Sequence, residues 1–154
     1  MPEFHHRGSP PPRPTPAAAA DLELTLVAVP AAARAARTAV RGWLQGHRWP
    51  EEDADDVVLA VNEAVANVID HAYPPGRPGN VHLEGRVVRA ADDRSRSAQI
   101  SVTDRGSWNR AHRTTTGAEH RGHGLAVMGG CVAEVHLQRS PAGTSVLLVS
   151  FPAS

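Results

Sequence analysis

Hydrophobic residues recur with two different periods along this chain of 154 residues, and each period predicts an element. Over residues 21–29, three leucines alternate with other residues, which is the pattern of a half-buried strand. Pro30 can then begin an Ala-rich helix that we expect to reach about Gln45, because proline suits the first turn of a helix. The chain therefore starts its fold with a strand and a helix.

A longer helix is predicted from Glu51 to Ala72, because apolar residues recur there at helical spacing. Its apolar stripe consists of Val57, Val61, Val65, Val68 and Ala72. Glu63 and Asn67 lie on roughly the opposite side, one turn apart, where both can serve one ligand. In isolation such a pair is more typical of a solvated helix face.

The remaining periodic stretches predict two strands, a short helix and two more strands: residues 81–88, 99–103, 124–131, 134–139 and 144–151. Residues 106–122 are polar, which predicts a functional or mobile segment. This order favours an α+β fold, a two-layer sandwich whose mixed or mainly antiparallel sheet has its helices on one face. The Pro- and Ala-rich residues 1–20 predict a disordered arm before a domain at residues 21–154.

Composition narrows the classes of function. Lys plus Arg and Asp plus Glu each number 16, so no overall charge favours nucleic acid as a partner. Cys131 is the only cysteine, which excludes an internal disulfide and is typical of a reducing compartment. No signal-peptide pattern and no apolar stretch near the ~18 residues that cross a bilayer are present. We therefore expect a cytoplasmic protein that binds neither nucleic acid nor membranes.

Three further motifs carry candidate chemistry. Asp104 ends a predicted strand, so its carboxylate can accept a hydrogen bond from an amine while Gly106 lets a ligand approach the backbone. Residues 122–124 are Gly-His-Gly at a predicted helix start, where free N–H groups and the helix dipole bind anions. In the last motif, Gly143 precedes Thr144, whose hydroxyl can bond a ligand directly or through water.

Each motif also has a purely structural interpretation. Asp104 can stabilise its own turn, the Gly-His-Gly can be a turn into a helix, and Gly-Thr can be a hairpin turn entering a strand. Arg121, next to the glycine motif, can assist a phosphate or be solvated. The order and spacing of the motifs favour the chemical interpretation, because four such motifs in register rarely arise by chance.

Taken in order, the motifs resemble the N, G1 and G2 boxes and the distal Gly-Thr of the GHKL nucleotide-binding fold. The Glu-Ala-Val-x-Asn-x-x-x-His-Ala form of the first box is most similar to that of the anti-sigma-factor serine/threonine kinases. The resemblance covers about residues 22–151. It implies a Bergerat-type ATP-binding fold, with ATP and Mg²⁺ as cofactors.

The resemblance also implies roles for individual residues. Asn67 would bind Mg²⁺, and Glu63 would be the catalytic base that takes the proton from the attacking hydroxyl. Asp104 would read the adenine amino group beside Gly106, and Thr144 would close the adenine side. The other nucleotide contacts would come from the second glycine motif, which consists of Arg121, Gly122, His123, Gly124 and Leu125.

The activity that the resemblance implies is that of an anti-sigma factor that is also an ATP-dependent serine/threonine protein kinase. It would phosphorylate a hydroxyl on an anti-anti-sigma partner, a STAS-type domain, and would otherwise sequester an RNA polymerase sigma factor. A homodimer formed through about residues 22–40 is expected on the same ground.

Three other functions remain open at the level of sequence. The chain can be a GHKL module that binds nucleotide or a partner without transferring phosphate, and Trp108, where many family members have glycine, keeps this possibility. It can be the output domain of a larger signalling protein, with the Pro/Ala arm as the former linker. It can also be a plain ATPase that needs no partner.

Overall fold

The computed structural model describes residues 19–107 and 117–154, without the side chains of residues 117–123. Its elements are β1 (Leu22–Val27), α1 (Pro30–Gly46), α2 (Glu51–His71), β2 (Asn80–Arg89), β3 (Arg96–Asp104), α3 (Gly117–Cys131), β4 (Glu134–Ser140) and β5 (Gly143–Val149). Helices α1 and α2 start at the predicted residues and end within one residue of the predicted ends. Most of the predicted arm, and Trp108, lie outside the described residues.

The described strands form one antiparallel sheet in the order β1-β2-β3-β5-β4. Because side chains alternate along a strand, one face is buried and the other is polar. The buried face includes Val81, Leu83, Ile100, Val102 and Leu148, and the polar face includes His82, Glu84, Ser101, Thr103 and Ser145. The helices pack on the buried face, so the predicted α+β class, with helices on one face, is confirmed.

The core between helices and sheet consists mainly of small aliphatic side chains. Val40 and Leu44 of α1 and Val61 and Val65 of α2 are completely buried where the two helices meet the sheet. At the surface, Arg41 of α1 forms an ion pair with an aspartate of α2 at 2.6 Å. Exposed pairs of this kind contribute less than about 1 kcal/mol, so burial of the aliphatic stripe holds α2 in place.

Helix α3 departs from the prediction at its start. It begins at Gly117 rather than at Gly124, so the end of the polar segment is helical, and the predicted start was wrong. The physical reason lies in its glycines, which adopt turn or helical conformations with similar ease, and in the lack of apolar periodicity before Leu125. In the described part of the chain, no helix is both long and apolar enough to cross a membrane.

Candidate active site

The polar side of α2 supplies the first pair of candidate side chains. Glu63 and Asn67 are half-buried and lie one turn apart, as the sequence predicts. Gly124 of α3 lies directly against the Asn67 amide: a Cβ atom at position 124 would be 3.1 Å from Asn67 Nδ2 and 3.5 Å from its Oδ1. Glycine at this position therefore lets α3 approach the Asn67 side chain closely.

The ends of β3 and β5 bring a second pair together. Asp104 and Thr144 are directly opposite in the antiparallel register, and both are buried, with 2% and 5% exposure. Gly143 makes this approach feasible, because its φ is +142° and a Cβ atom there would lie 1.9 Å from the Asp104 carbonyl oxygen. Two motifs far apart in sequence thus become cross-strand neighbours on the helix side of the sheet.

Asp104 also has a structural role in its own turn. The Gly106 N–H donates a hydrogen bond to Asp104 Oδ1 at 2.9 Å. A carboxylate has about four acceptor sites, so this bond is compatible with binding of a ligand amine. The two interpretations that the sequence left open for Asp104 are therefore not exclusive.

Gly106 lies directly against the end of α2. A Cβ atom at this position would lie 1.9 Å from the carbonyl oxygen of Ala72, at the end of α2. The backbone at Gly106 therefore approaches α2 closely, and the approach of a ligand to this backbone stays a prediction. Because Gly106 has no side chain, the loop after Asp104 can pack against the end of α2, the helix that contains Asn67.

Tyr73, which none of the sequence motifs includes, connects the end of α2 to the loop after Asp104. Its hydroxyl accepts a hydrogen bond from the Arg105 N–H at 3.1 Å and donates one to the Asn80 carbonyl oxygen. The end of α2, the start of β2 and the loop after Asp104 are therefore connected through one side chain. The sequence offered one signal for this role, an aromatic residue just after a long helix. The hydrogen-bond partners of Tyr73 are visible only in the tertiary structure.

A small cavity joins these elements, and four predicted site residues line it: Asn67, Asp104, Leu125 and Thr144. Its volume is about 20 Å³, which is room for one water molecule. An adjoining groove of about 710 Å³ shares Asp104 and Thr144 with the cavity and has the size of a ligand pocket. A nucleotide base needs the cavity to widen, and Leu125 and Leu137, both 39% exposed, are lining side chains with room to move.

Strand β4 adds two cavity residues that the motifs did not reveal. Leu137 is paired with Val146 and Arg139 with Thr144, so both lie on the helix side of the sheet. Their alternation along β4 was visible in the sequence. Their position next to the site depended on the hairpin register, which periodicity alone does not fix.

The surroundings of Glu63 are acidic. Glu63 does not line the cavity, but its charge and that of Asp56 act on Cys131 at the end of α3. The pKa of the Cys131 thiol is raised above its usual value, first by burial and then by the negative charges of Asp56 and Glu63. The Asn67 amide oxygen lies one turn from the Glu63 carboxylate on the same helix face, and Mg²⁺ prefers oxygen ligands of this kind.

The second glycine motif lies within α3 rather than at its start. The side chains of Arg121 and His123 lie outside the described residues. The backbone at Gly122 and Gly124 is within α3, where N–H groups bond the carbonyl four residues earlier, and only the first four N–H groups of a helix are free. The predicted helix start at these glycines is therefore corrected.

Comparisons with known proteins agree with this architecture. Residues 26–150 match the family model of the histidine kinase-like ATPase domain. The chain is similar to the crystal structure of the RsbU and RsbW domains of Rv1364c from Mycobacterium tuberculosis, with 27% identity and a TM-score of 0.64. That match covers 85% of this chain and 32% of the other, so this chain spans about a third of its length.

A further similarity is to the histidine kinase domain of a blue-light activated histidine kinase from Erythrobacter litoralis EL346. Its identity is 19% and its TM-score 0.42, over 66% of this chain and 46% of that one.

The family match spans most of the chain and includes all four motifs. It agrees with the antiparallel sheet, the helices on one face and the cavity beneath α2. Domains of this family are ATP-binding, kinase-like modules. The chain therefore belongs to the family of histidine kinase-like ATPase domains, the GHKL fold that its motifs resemble.

Proposed function

We propose that this protein is an ATP-dependent serine/threonine kinase that acts as an anti-sigma factor, with residues 21–154 as its kinase domain. The observation that carries the proposal is the convergence of Asn67, Asp104 and Thr144 on one cavity, although they come from separate motifs. Together with Arg139, these three polar groups interrupt an otherwise apolar lining and can orient a base and a phosphate chain. The form of the Glu63 box supports the serine/threonine assignment by resemblance.

In this proposal the adenine enters between Leu125 and Leu137. Asp104 accepts a hydrogen bond from the exocyclic amine, and Thr144 bonds the base directly or through water. The Asn67 amide oxygen would hold Mg²⁺, with the Glu63 carboxylate one turn away on the same helix face. Mg²⁺ would neutralise charge on the phosphates. Positioning of the reactants by the protein would supply most of the remaining rate enhancement.

Phosphates need free N–H groups, which a continuous α3 does not offer at Gly122 and Gly124. We therefore propose that ATP binding unwinds the first turns of α3, so that the helix starts near Gly122. Arg121, His123 and Leu125 would then flank the phosphates and the base. The glycines of this segment keep the free-energy cost of unwinding low.

Glu63 is the proposed base for the attacking hydroxyl. It lies one turn before Asn67 on the same helix face, half-buried, so it can face a substrate hydroxyl next to the metal-bound phosphates. Removal of such a base lowers transfer by about 10²- to 10⁴-fold.

The proposed partners are a STAS-type anti-anti-sigma protein as substrate and a sigma factor as binding partner. The similar protein from Mycobacterium tuberculosis contains an RsbU and an RsbW domain, which supports a partner-switching system. We also propose a homodimer through about residues 22–40 and a cytoplasmic location.

Transfer of labelled phosphate from ATP to purified STAS proteins of the source genome tests the proposal. We expect one of them to be labelled on serine or threonine. Glu63→Gln should lower this rate by about 10²-fold or more, while its affinity for ATP changes by less than about threefold. Asp56→Asn, an exposed carboxylate on the same helix, is the matched control and should retain transfer.

A second candidate is a module that binds nucleotide without transferring phosphate, which the narrow cavity and the long α3 favour. It predicts ATP binding but no labelling of any STAS protein. Partner binding would then be the same for the native chain and for Glu63→Gln.

A further inference from the structure

We propose that the sheet face turned away from the helices carries a zinc site formed by Glu23, His82 and Glu84. Glu23 of β1 is directly opposite Glu84 of β2, and His82 precedes Glu84 by two residues, so the three side chains share that face. One ligand atom from each lies within 4.8 Å of the others. The site is separate from the cavity beneath α2 and does not depend on the proposed kinase function.

The spacing of two donor atoms already suits zinc. His82 Nε2 and Glu84 Oε1 are 3.1 Å apart, within hydrogen-bond distance, so a bound zinc ion would replace the proton between them. In a tetrahedral zinc site with bonds of about 2.0–2.2 Å, neighbouring donors are roughly 3.3–3.6 Å apart. Glu23 is exposed on the terminal strand of the sheet, so a rotamer change brings its carboxylate to the third position. Water can take the fourth position.

Thr25 orients the histidine for this role. Its Oγ1 lies 2.8 Å from His82 Nδ1, and a hydroxyl can accept a hydrogen bond from Nδ1–H. In the zinc-bound chain this tautomer would leave the lone pair of Nε2 free for the metal. Histidines that bind metals usually have the other ring nitrogen hydrogen-bonded in this way.

The positive charge of Arg86, next to Glu84, is compatible with a bound zinc ion. Arg86 Nη2 lies 4.0 Å from Glu84 Oε2, the oxygen that does not face His82. Glu84 can therefore contact Arg86 and the metal with different oxygens. An imidazole with two carboxylates suits zinc better than Mg²⁺, which prefers a set of oxygen ligands.

Bound zinc would connect β1 to β2. Strand β1 has six residues and lies at one end of the sheet, so its attachment depends on few cross-strand bonds. A metal that binds only the folded chain stabilises it by mass action. We therefore expect a structural effect, measured as a rise in melting temperature.

Thermal unfolding of the full chain in EDTA and in ZnSO₄ tests the site. At a zinc concentration about a hundred times the dissociation constant, the native protein should melt roughly 5–10 °C higher, and EDTA should reverse the shift. Glu23→Gln and His82→Gln should each lose the shift. Thr25→Val should retain it with zinc affinity lower by about tenfold, because it removes only the orienting hydrogen bond.

His136→Gln is the matched control. His136 and Glu134 form a similar pair on β4, at 3.9 Å, but they belong to no three-ligand group among the described residues. This variant should keep the full zinc shift. If the native chain shows no shift, or if Glu23→Gln and His82→Gln retain it, the proposal is wrong. Because Glu23 is exposed, its variant remains informative even if His82→Gln unfolds.

Discussion

Helices α2 and α3 both line the same cavity but differ in what stabilises their helical conformation. Helix α2 has 21 residues without a glycine, and eight of its residues are buried. Helix α3 has 15 residues, and five of them are glycines. Each glycine inside a helix costs about 0.5–1 kcal/mol relative to alanine, so α3 depends on packing against α2 for its helical conformation.

Because α2 is well buried and α3 is rich in glycine, we describe the candidate site as having a fixed side and an adjustable side. The fixed side consists of α2 and the sheet, and it contributes Asn67, Asp104 and Thr144. The adjustable side is α3, which contributes Leu125 and the glycine motif. A cavity of about 20 Å³ has to widen for a nucleotide, and movement of α3 is the least costly way to widen it.

The largest expected effect concerns the fixed side. Asp104→Asn keeps an acceptor oxygen for the Gly106 N–H but replaces the other oxygen with an N–H donor. We expect ATP affinity to fall by about 10- to 100-fold, while the free energy of unfolding changes little. Calorimetric titration and chemical denaturation measure the two quantities. Unchanged ATP affinity would contradict the proposed contact between Asp104 and the adenine, and Asp104 would then only stabilise its own turn.

The next effect tests whether burial holds α2. Val65 is completely buried, so Val65→Ala should lower the free energy of unfolding by about 2 kcal/mol. Leu59, on the same helix, is 44% exposed, and Leu59→Ala should change the free energy of unfolding by less than about 0.5 kcal/mol. Urea denaturation measures both. Equal losses in the two variants would show that α2 is not held by its buried stripe.

A smaller effect is expected on the adjustable side. A methyl group at Gly124 presses on the Asn67 amide, so Gly124→Ala should weaken Mg·ATP binding by about tenfold while leaving stability nearly unchanged. Gly129, in the same helix, has open space around it, and Gly129→Ala should stabilise the chain by about 0.5–1 kcal/mol without affecting ATP. Equal ATP affinity in the two variants would contradict the contact between Gly124 and Asn67.

The smallest effect is a pH dependence where the two helices meet. Because the pKa of Cys131 is raised in the folded chain, the midpoint of its alkylation rate against pH should lie above that of the unfolded chain, and Asp56→Asn should lower that midpoint. The stabilisation linked to this thiol is present below the unfolded-state pKa and is lost as the pH rises through the folded-state pKa. A midpoint no higher in the native chain than in the unfolded chain would contradict the effect of burial and of the two carboxylates on this thiol.

The sequence predicted the fixed side better than the adjustable side, for physical reasons. Burial of a long stripe imposes helical periodicity, so α1 and α2 were predicted to within one residue at each end. Glycine imposes no such pattern, and the start of α3 was missed. The roles of Gly106, Tyr73 and Arg139 depend on strand register and on how the loop after β3 meets the end of α2, which no local pattern encodes.

Calorimetric titration of ATP and ADP, with and without Mg²⁺, on the native chain and on Asn67→Ala is the most direct test of a nucleotide held between α2, α3 and the sheet. We expect binding to the native chain that strengthens with Mg²⁺, and binding to Asn67→Ala that is weaker and no longer responds to the metal. Absence of nucleotide binding under every condition, or an equal Mg²⁺ response in both proteins, would contradict the proposed site.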